Sequence, residues 1–104
     1  MRILFDQGTQ VPLRQHLSKH QVQTAFEPGW SRLTNGDLLS AAEGKFDVLV
    51  TTDQNLRHQQ SLAGRKLAVL VPPTTSWPKL RNRASEIVGA LASLQSGGYL
   101  ELPR

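Results

Sequence analysis

The apolar positions of this chain come in short unbroken runs, separated by stretches that are polar or repeat at helical spacing. Ile3-Leu4-Phe5 is the first run, closed at once by Asp6, and it reads as a buried strand. Pro12 opens a short helix through Leu13 and Leu17 that ends around Ser18 to His20, proline being tolerated in a first turn. Residues 21–26 alternate weakly, as a second strand would, and the turn-rich 27–34 segment reads as irregular. Asn35-Gly36-Asp37 starts a helix with Leu38, Leu39 and Ala42 facing inward and Gly44 closing it. Residues 47–52 form the plainest strand, apolar enough for a sheet to bury both of its faces. A short helix over about 55–62 follows, then a strand over 66–71 stopped by Pro72-Pro73. Leu80, Ala84, Ile87, Val88, Leu91 and Leu94 lie on one continuous helical face. Gly97-Gly98 ends that helix, and 99–102 is a candidate terminal edge strand.

This alternation predicts an α/β fold with helices on both faces of a mainly parallel sheet of four or five strands. With the second strand on one side of the first and the third on the other, the order is 2-1-3-4. The chain's 104 residues make one domain, 1–104, without room for a second core.

Composition narrows the class. Hydrophobic residues are 38% and charged residues 19%, a globular balance, and no apolar run approaches the roughly 20 residues that span a bilayer. The first segment is too short and too soon charged for a signal peptide, and there is no Cys for a disulfide or thiolate site. Cytoplasmic location and no membrane partner are the expectations. Twelve Lys and Arg against eight Asp and Glu leave a formal charge of +4, which suits a polyanionic partner. Scarcity makes the acids informative.

In a parallel α/β sheet, ligands bind outside the carboxyl ends of the strands, where strand order reverses. Asp6 and Asp53 follow the first and third strands, so both belong at that crevice. Neighbouring strands are about 4.8 Å apart. Two carboxylates at about that separation repel by about 3 kcal/mol at an effective dielectric of about 20. A divalent cation is a natural offset. If repulsion dominates, Asp6→Asn and Asp53→Asn raise the melting temperature without metal; a fall points to turn or capping roles. Asp37 is spaced from Thr34 like a capping box, so it is either a cap or a site residue. Asp47 lies at the opposite end of the sheet, and Glu43, Glu86 and Glu101 read as solvated surface charge. Trp30 and Trp77 sit in Pro-containing loops, where packing or an interface is favoured over stacking on bases.

Met1-Arg-Ile-Leu-Phe-Asp6, the Pro28-Gly29-Trp30 turn, the 33–39 helix start and the 47–56 segment together resemble a short bacterial PIN-like family. Its members are compact relatives of the VapC-type toxin ribonucleases. The likeness runs from residue 1 to about residue 71, with the last helix matching in kind. The resemblance implies a three-layer α/β/α PIN-like sandwich whose clustered acids hold Mg²⁺ or Mn²⁺ for RNA hydrolysis. Carried over by position, the catalytic and metal-site residues are Asp6, Asp37 and Asp53, with Thr52 beside the last and Asn55 as a further ligand. Arg57, His58, Lys79, Arg81 and Arg83 would steer the RNA backbone, or form an ordinary solvated face. A cognate antitoxin is the implied protein partner, and a homodimer is a further expectation.

Two positions depart from the family pattern. Gln7 stands where Glu commonly follows the first Asp, and Asn55 where a second acid often follows the third-strand Asp. An amide can ligate Mg²⁺ but adds no charge, so the set suits one ion better than a two-ion clamp. These departures motivate an alternative, a catalytically weakened PIN-like module that binds RNA or a partner. A phospho-accepting receiver domain also places Asp after its first and third strands. It needs a lysine after a late strand, however, and here Pro72-Pro73 follow Val71.

Overall fold

The computed structural model describes residues 1–53, 56, 62 and 64–103. Five strands form one sheet: β1 (Arg2–Phe5), β2 (Gln21–Thr24), β3 (Val48–Val50), β4 (Ala68–Val71) and β5 (Tyr99–Glu101). Their order is β2-β1-β3-β4-β5 and every pairing is parallel. The expected 2-1-3-4 core is present, and the terminal segment extends it as a fifth strand. The helical segments are a 3₁₀ helix (Val11–Leu17), α1 (Asn35–Ala42), α2 (Trp77–Arg81) and α3 (Ala84–Ser93). The helix expected over 55–62 lies outside the described residues except for Leu56, which is buried, and Leu62.

Side chains alternate across a strand, so each central strand feeds two cores. Ile3, Phe5, Val48, Val50, Ala68 and Leu70 pack with Leu13 and Leu17 of the 3₁₀ helix, Leu80 of α2, and Ile87 and Leu91 of α3. Leu4, Leu49, Val69 and Val71 pack on the other face with Leu38, Leu39 and Ala42 of α1, and with Leu56. The result is a three-layer α/β/α sandwich. Among the described residues no helix is long and apolar enough to cross a membrane.

Where the last helix was expected to run unbroken from Leu80, the chain instead makes two helices, α2 and α3, joined at Asn82–Arg83. Arg83 leaves helical geometry at φ −115°, ψ 15°, and its guanidinium grips Glu86 in the first turn of α3. The break changes the inward face. Ala90 takes the inner position in the same apolar layer as Ala68, while Val88 is 40% exposed.

Two acids organise the amino ends of the strands. Asp47 accepts the Arg2 backbone N–H at 2.8 Å and pairs with the Arg2 guanidinium at 3.4 Å, tying β1 to β3. Glu43, expected to be merely solvated, accepts the backbone N–H groups of Lys66 and Leu67 at 2.7 and 3.2 Å. It caps donors just ahead of β4 that the ladder leaves unpaired.

Gly97 makes the return into β5 possible. Its φ is +75°, its N–H donates to the Lys66 carbonyl, and an added Cβ would lie 2.7 Å from the Arg65 carbonyl oxygen. Gly97→Ala is therefore expected to lower stability by about 1–3 kcal/mol in urea titration. Gly89, inside α3 with nothing within 4 Å of an added Cβ, is the control. Gly89→Ala should raise stability by up to about 1 kcal/mol.

The Arg2 backbone N–H, followed by the Arg2 side chain, holds the Asp47 carboxyl below its ordinary value. A depressed folded-state pKa contributes stability above the unfolded value of about 3.9, lost as pH falls through the folded value. Between about pH 5 and pH 2, Asp47→Asn should flatten the loss of thermal stability slightly, since the pair is half exposed.

Candidate functional site

Strand order reverses between β1 and β3, so the crevice at their carboxyl ends is where this fold collects its loops. Asp6 stands at the end of β1 and continues the ladder, its N–H donating to the Val50 carbonyl at 3.0 Å. Its carboxylate accepts three hydrogen bonds, two from the following loop and one from the end of β3. Oδ1 accepts the Gly8 N–H at 3.1 Å and the Thr9 hydroxyl at 2.8 Å, and Oδ2 accepts the Thr51 hydroxyl. Thr9 and Thr51 are the two buried polar residues among those described, and both hydroxyls point at Asp6. A buried hydroxyl without a partner costs about 1–3 kcal/mol, so the carboxylate and the two threonines depend on one another. Thr9 Oγ1 also lies 2.9 Å from the Val50 carbonyl, so its single proton serves two acceptors.

The Thr51 hydroxyl additionally accepts the Asp53 backbone N–H at 3.1 Å, linking the two strand ends through one oxygen. The Asp53 carboxylate accepts the side-chain amide of Asn35, at the start of α1, at 2.6 Å. Gly8 completes the fit. An added Cβ there would sit 2.4 Å from Thr52 Oγ1, so a side chain at this position would require the Thr52 hydroxyl to turn away. The sequence reading picked out Asp6, Asp53 and Thr52. It missed Thr9 and Thr51, whose signal is a hydroxyl within three residues of each strand-end acid, and Asn35, which is far from Asp53 in the chain and carries no local signal.

Asp37 is not part of this cluster. It is exposed, it does not line the cavity beside Asp6, and its N–H donates to Thr34 Oγ1 at 3.3 Å. Thr34 is the cap of α1 and Asp37 its first-turn acid, so the capping alternative describes it. Asn55, Arg57 and His58 lie outside the described residues. Lys79 and Arg81 are exposed on α2. Arg83 is held in a two-pronged pair with Glu86, which makes it a poor free cation. The Gln10 amide donates to the Thr75 carbonyl at 2.7 Å, joining the loop after β1 to the loop that leads into α2. Lys79 and Arg83 line a cavity of about 440 Å³ with Pro73, Thr74 and Asn82. Both tryptophans pack: Trp30 edge-on to Phe46 at 6.0 Å, and Trp77 against His16 at 5.9 Å.

Two carboxylates with neighbouring hydroxyl and amide oxygens are hard donors of the kind Mg²⁺ and Mn²⁺ take. Three of the roughly four lone-pair directions of Asp6 are used, which leaves one on Oδ2. Among the described residues no group of three or more His, Cys, Asp or Glu side chains is placed to hold a metal ion. Asp6 and Asp53 are the two carboxylates at this crevice among the described residues, so an ion held there would take most of its ligands from water. They do not fit a two-ion clamp.

The hydrogen bonds reverse the stability expected from bare repulsion between the acids. Asp6→Asn and Thr51→Val should each lower stability by about 1–3 kcal/mol. The double variant should lose less than the sum of the two, by at least about 0.5 kcal/mol. Denaturant titration of the four proteins measures this coupling, and a raised midpoint for Asp6→Asn would show that repulsion dominates. Comparison with protein-family models, curated proteins and solved structures finds no match, so the functional reading rests on this arrangement and on the resemblance in the sequence.

Proposed function

We propose that this chain is a PIN-like, metal-dependent ribonuclease of a toxin–antitoxin module, acting in the cytoplasm on RNA phosphodiesters. One observation carries the reading: Asp6 and Asp53, at the switch-point crevice, are each positioned by dedicated polar groups. Thr51 reaches Asp6 from the end of β3 and Asn35 reaches Asp53 from α1, contacts across the fold that a local turn or cap does not require.

Asp6 and Asp53 would hold one Mg²⁺ or Mn²⁺. Bound there, such an ion polarises a phosphate and lowers the pKa of its water. Thr9, Thr51 and the Gly8 N–H fix the Asp6 carboxylate against rotation, and Asn35 does the same for Asp53. Lys79 and Arg81 offer exposed charge to the RNA backbone near this end of the sheet, consistent with the +4 balance. Asp37 contributes as the first-turn acid of α1, which Thr34 caps and which carries Asn35 in the same turn.

A second reading, an RNA- or partner-binding module without hydrolysis, is favoured by one specific feature. Asp37 stands outside the cluster and Gln7 occupies the place of an acid, which leaves two carboxylates where a nuclease of this kind uses more.

Incubating the protein with a mixed RNA pool and Mn²⁺ should give cleavage that is abolished by chelator and by Asp53→Asn. Cleavage persisting in Asp53→Asn would identify a contaminant. Salt-dependent RNA binding without cleavage would select the second reading. In either case Lys79→Ala with Arg81→Ala should weaken RNA binding and reduce its salt slope by about two.

A further inference from the structure

A cavity of about 120 Å³ opens beside Asp6 at the carboxyl end of the sheet. Ala25, Trp30 and Leu33 supply apolar wall, while Gln7, Ser31 and Asn35 supply polar groups. An apolar cavity of roughly 150 Å³ holds one benzene ring. At about 120 Å³ the space here is smaller than that, so it admits at most a single six-membered ring, and it falls well below the ~300 Å³ of common cofactor pockets.

The polar groups narrow the choice of ring. The Gln7 amide has no hydrogen-bond partner among the described residues, and it offers a carbonyl and two N–H donors side by side. A ring that satisfies both must present a donor and an acceptor on one edge, as the nucleobases do, and the small volume favours a pyrimidine over a purine. The Ser31 hydroxyl can serve either kind of atom. Apolar wall together with an edge-reading amide is how an unstacked base is held.

The wall is in place before any ligand arrives. The Trp30 N–H donates to the Ala25 carbonyl at 2.8 Å, closing a turn in which Gly29 has φ +80°. Phe46 meets the Trp30 ring edge-on, and Lys45 Nζ lies 5.4 Å from its centroid. The same turn carries Phe26, which is 78% exposed and the most exposed large apolar side chain among the described residues. Its neighbour Ala25 lines the cavity.

We propose that this cavity is a subsite for one pyrimidine base of single-stranded RNA, with Phe26 stacking an adjoining base. The proposal rests on the ribonuclease reading for its polymer and names the substrate within it. A base must leave its helical stack to enter, which selects single strands or loops over duplex.

The test is an NMR titration of the metal-free, isotope-labelled protein with uridine 5′-monophosphate. Adenosine 5′-monophosphate and ribose 5-phosphate are the comparisons. The uridine nucleotide should shift the Trp30 indole and the Gly8, Ser31 and Asn35 amides in a saturable way, and the other two should not. Leu33→Trp, a change at a partly exposed wall residue, should abolish those shifts while leaving the melting temperature near that of the parent. Phe26→Ala should leave nucleotide binding intact and weaken binding of a short oligouridine by about five-fold or more. Equal shifts with adenosine nucleotide, shifts that survive Leu33→Trp, or no shifts at these positions would overturn the subsite. Uridine-specific shifts without Mn²⁺-dependent cleavage would retain the subsite and reject the ribonuclease. Cleavage without those shifts would do the opposite.

Discussion

A parallel sheet whose central strands are buried on both faces has no solvent side, and this chain is organised around covering it. β1, β3 and β4 alternate large apolar residues to opposite faces, so helices must lie above and below. Parallel pairing also requires each strand to be reached by a crossover. Every crossover starts at the same end of the sheet, so the residues following β1, β3 and β4 gather there. The placement of Asp6 and Asp53 is a consequence of that geometry. No separate device brings them together.

With apolar side chains filling both cores, polar groups in the interior need internal partners. Thr9 and Thr51 are buried at the carboxyl ends of the central strands, and Asp6 satisfies both. The dependence is mutual, because the carboxylate gains fixed donors and the hydroxyls gain an acceptor. Thr51 extends the network to the backbone of Asp53, and Asn35 extends it to the first turn of α1. Elements from both layers are thus joined to the candidate site by hydrogen bonds rather than by packing alone. The amino end is handled more simply: Asp47 and Glu43 cap backbone donors, and no comparable cluster forms among the described residues.

The loops differ from the core in character. Gly97 marks a place where backbone passes too close to backbone for any side chain, and a side chain at Gly8 would require Thr52 to turn aside. The turn after β2 instead holds its shape through backbone hydrogen bonds and leaves Phe26 outside. An exposed aromatic on a firmly closed turn, next to an acid network and a one-ring cavity, is an arrangement suited to recognition.

Much of this was legible in the amino-acid sequence, for a physical reason. Unbroken apolar runs such as 3–5 and 48–50 can be satisfied only by burial on both faces, and their alternation with helical segments implies a parallel order. That reasoning carries the fold class, the 2-1-3-4 core and the strand-end positions of Asp6 and Asp53. Asp37 was ambiguous because a helix cap and a site acid have the same local spacing. The helix break at Asn82–Arg83 was hidden because apolar periodicity runs through it, while the Arg83–Glu86 pair and the closeness of Ala90 to the sheet layer depend on tertiary position. Glu43 as a cap of the segment before β4, Thr51 as the link between two acids, and the shape of the cavity beside Asp6 are contacts between residues far apart in the chain. Local pattern determines which face of an element is apolar. Only folding determines which polar groups on different elements meet, because that depends on strand order, register and the path of each connection.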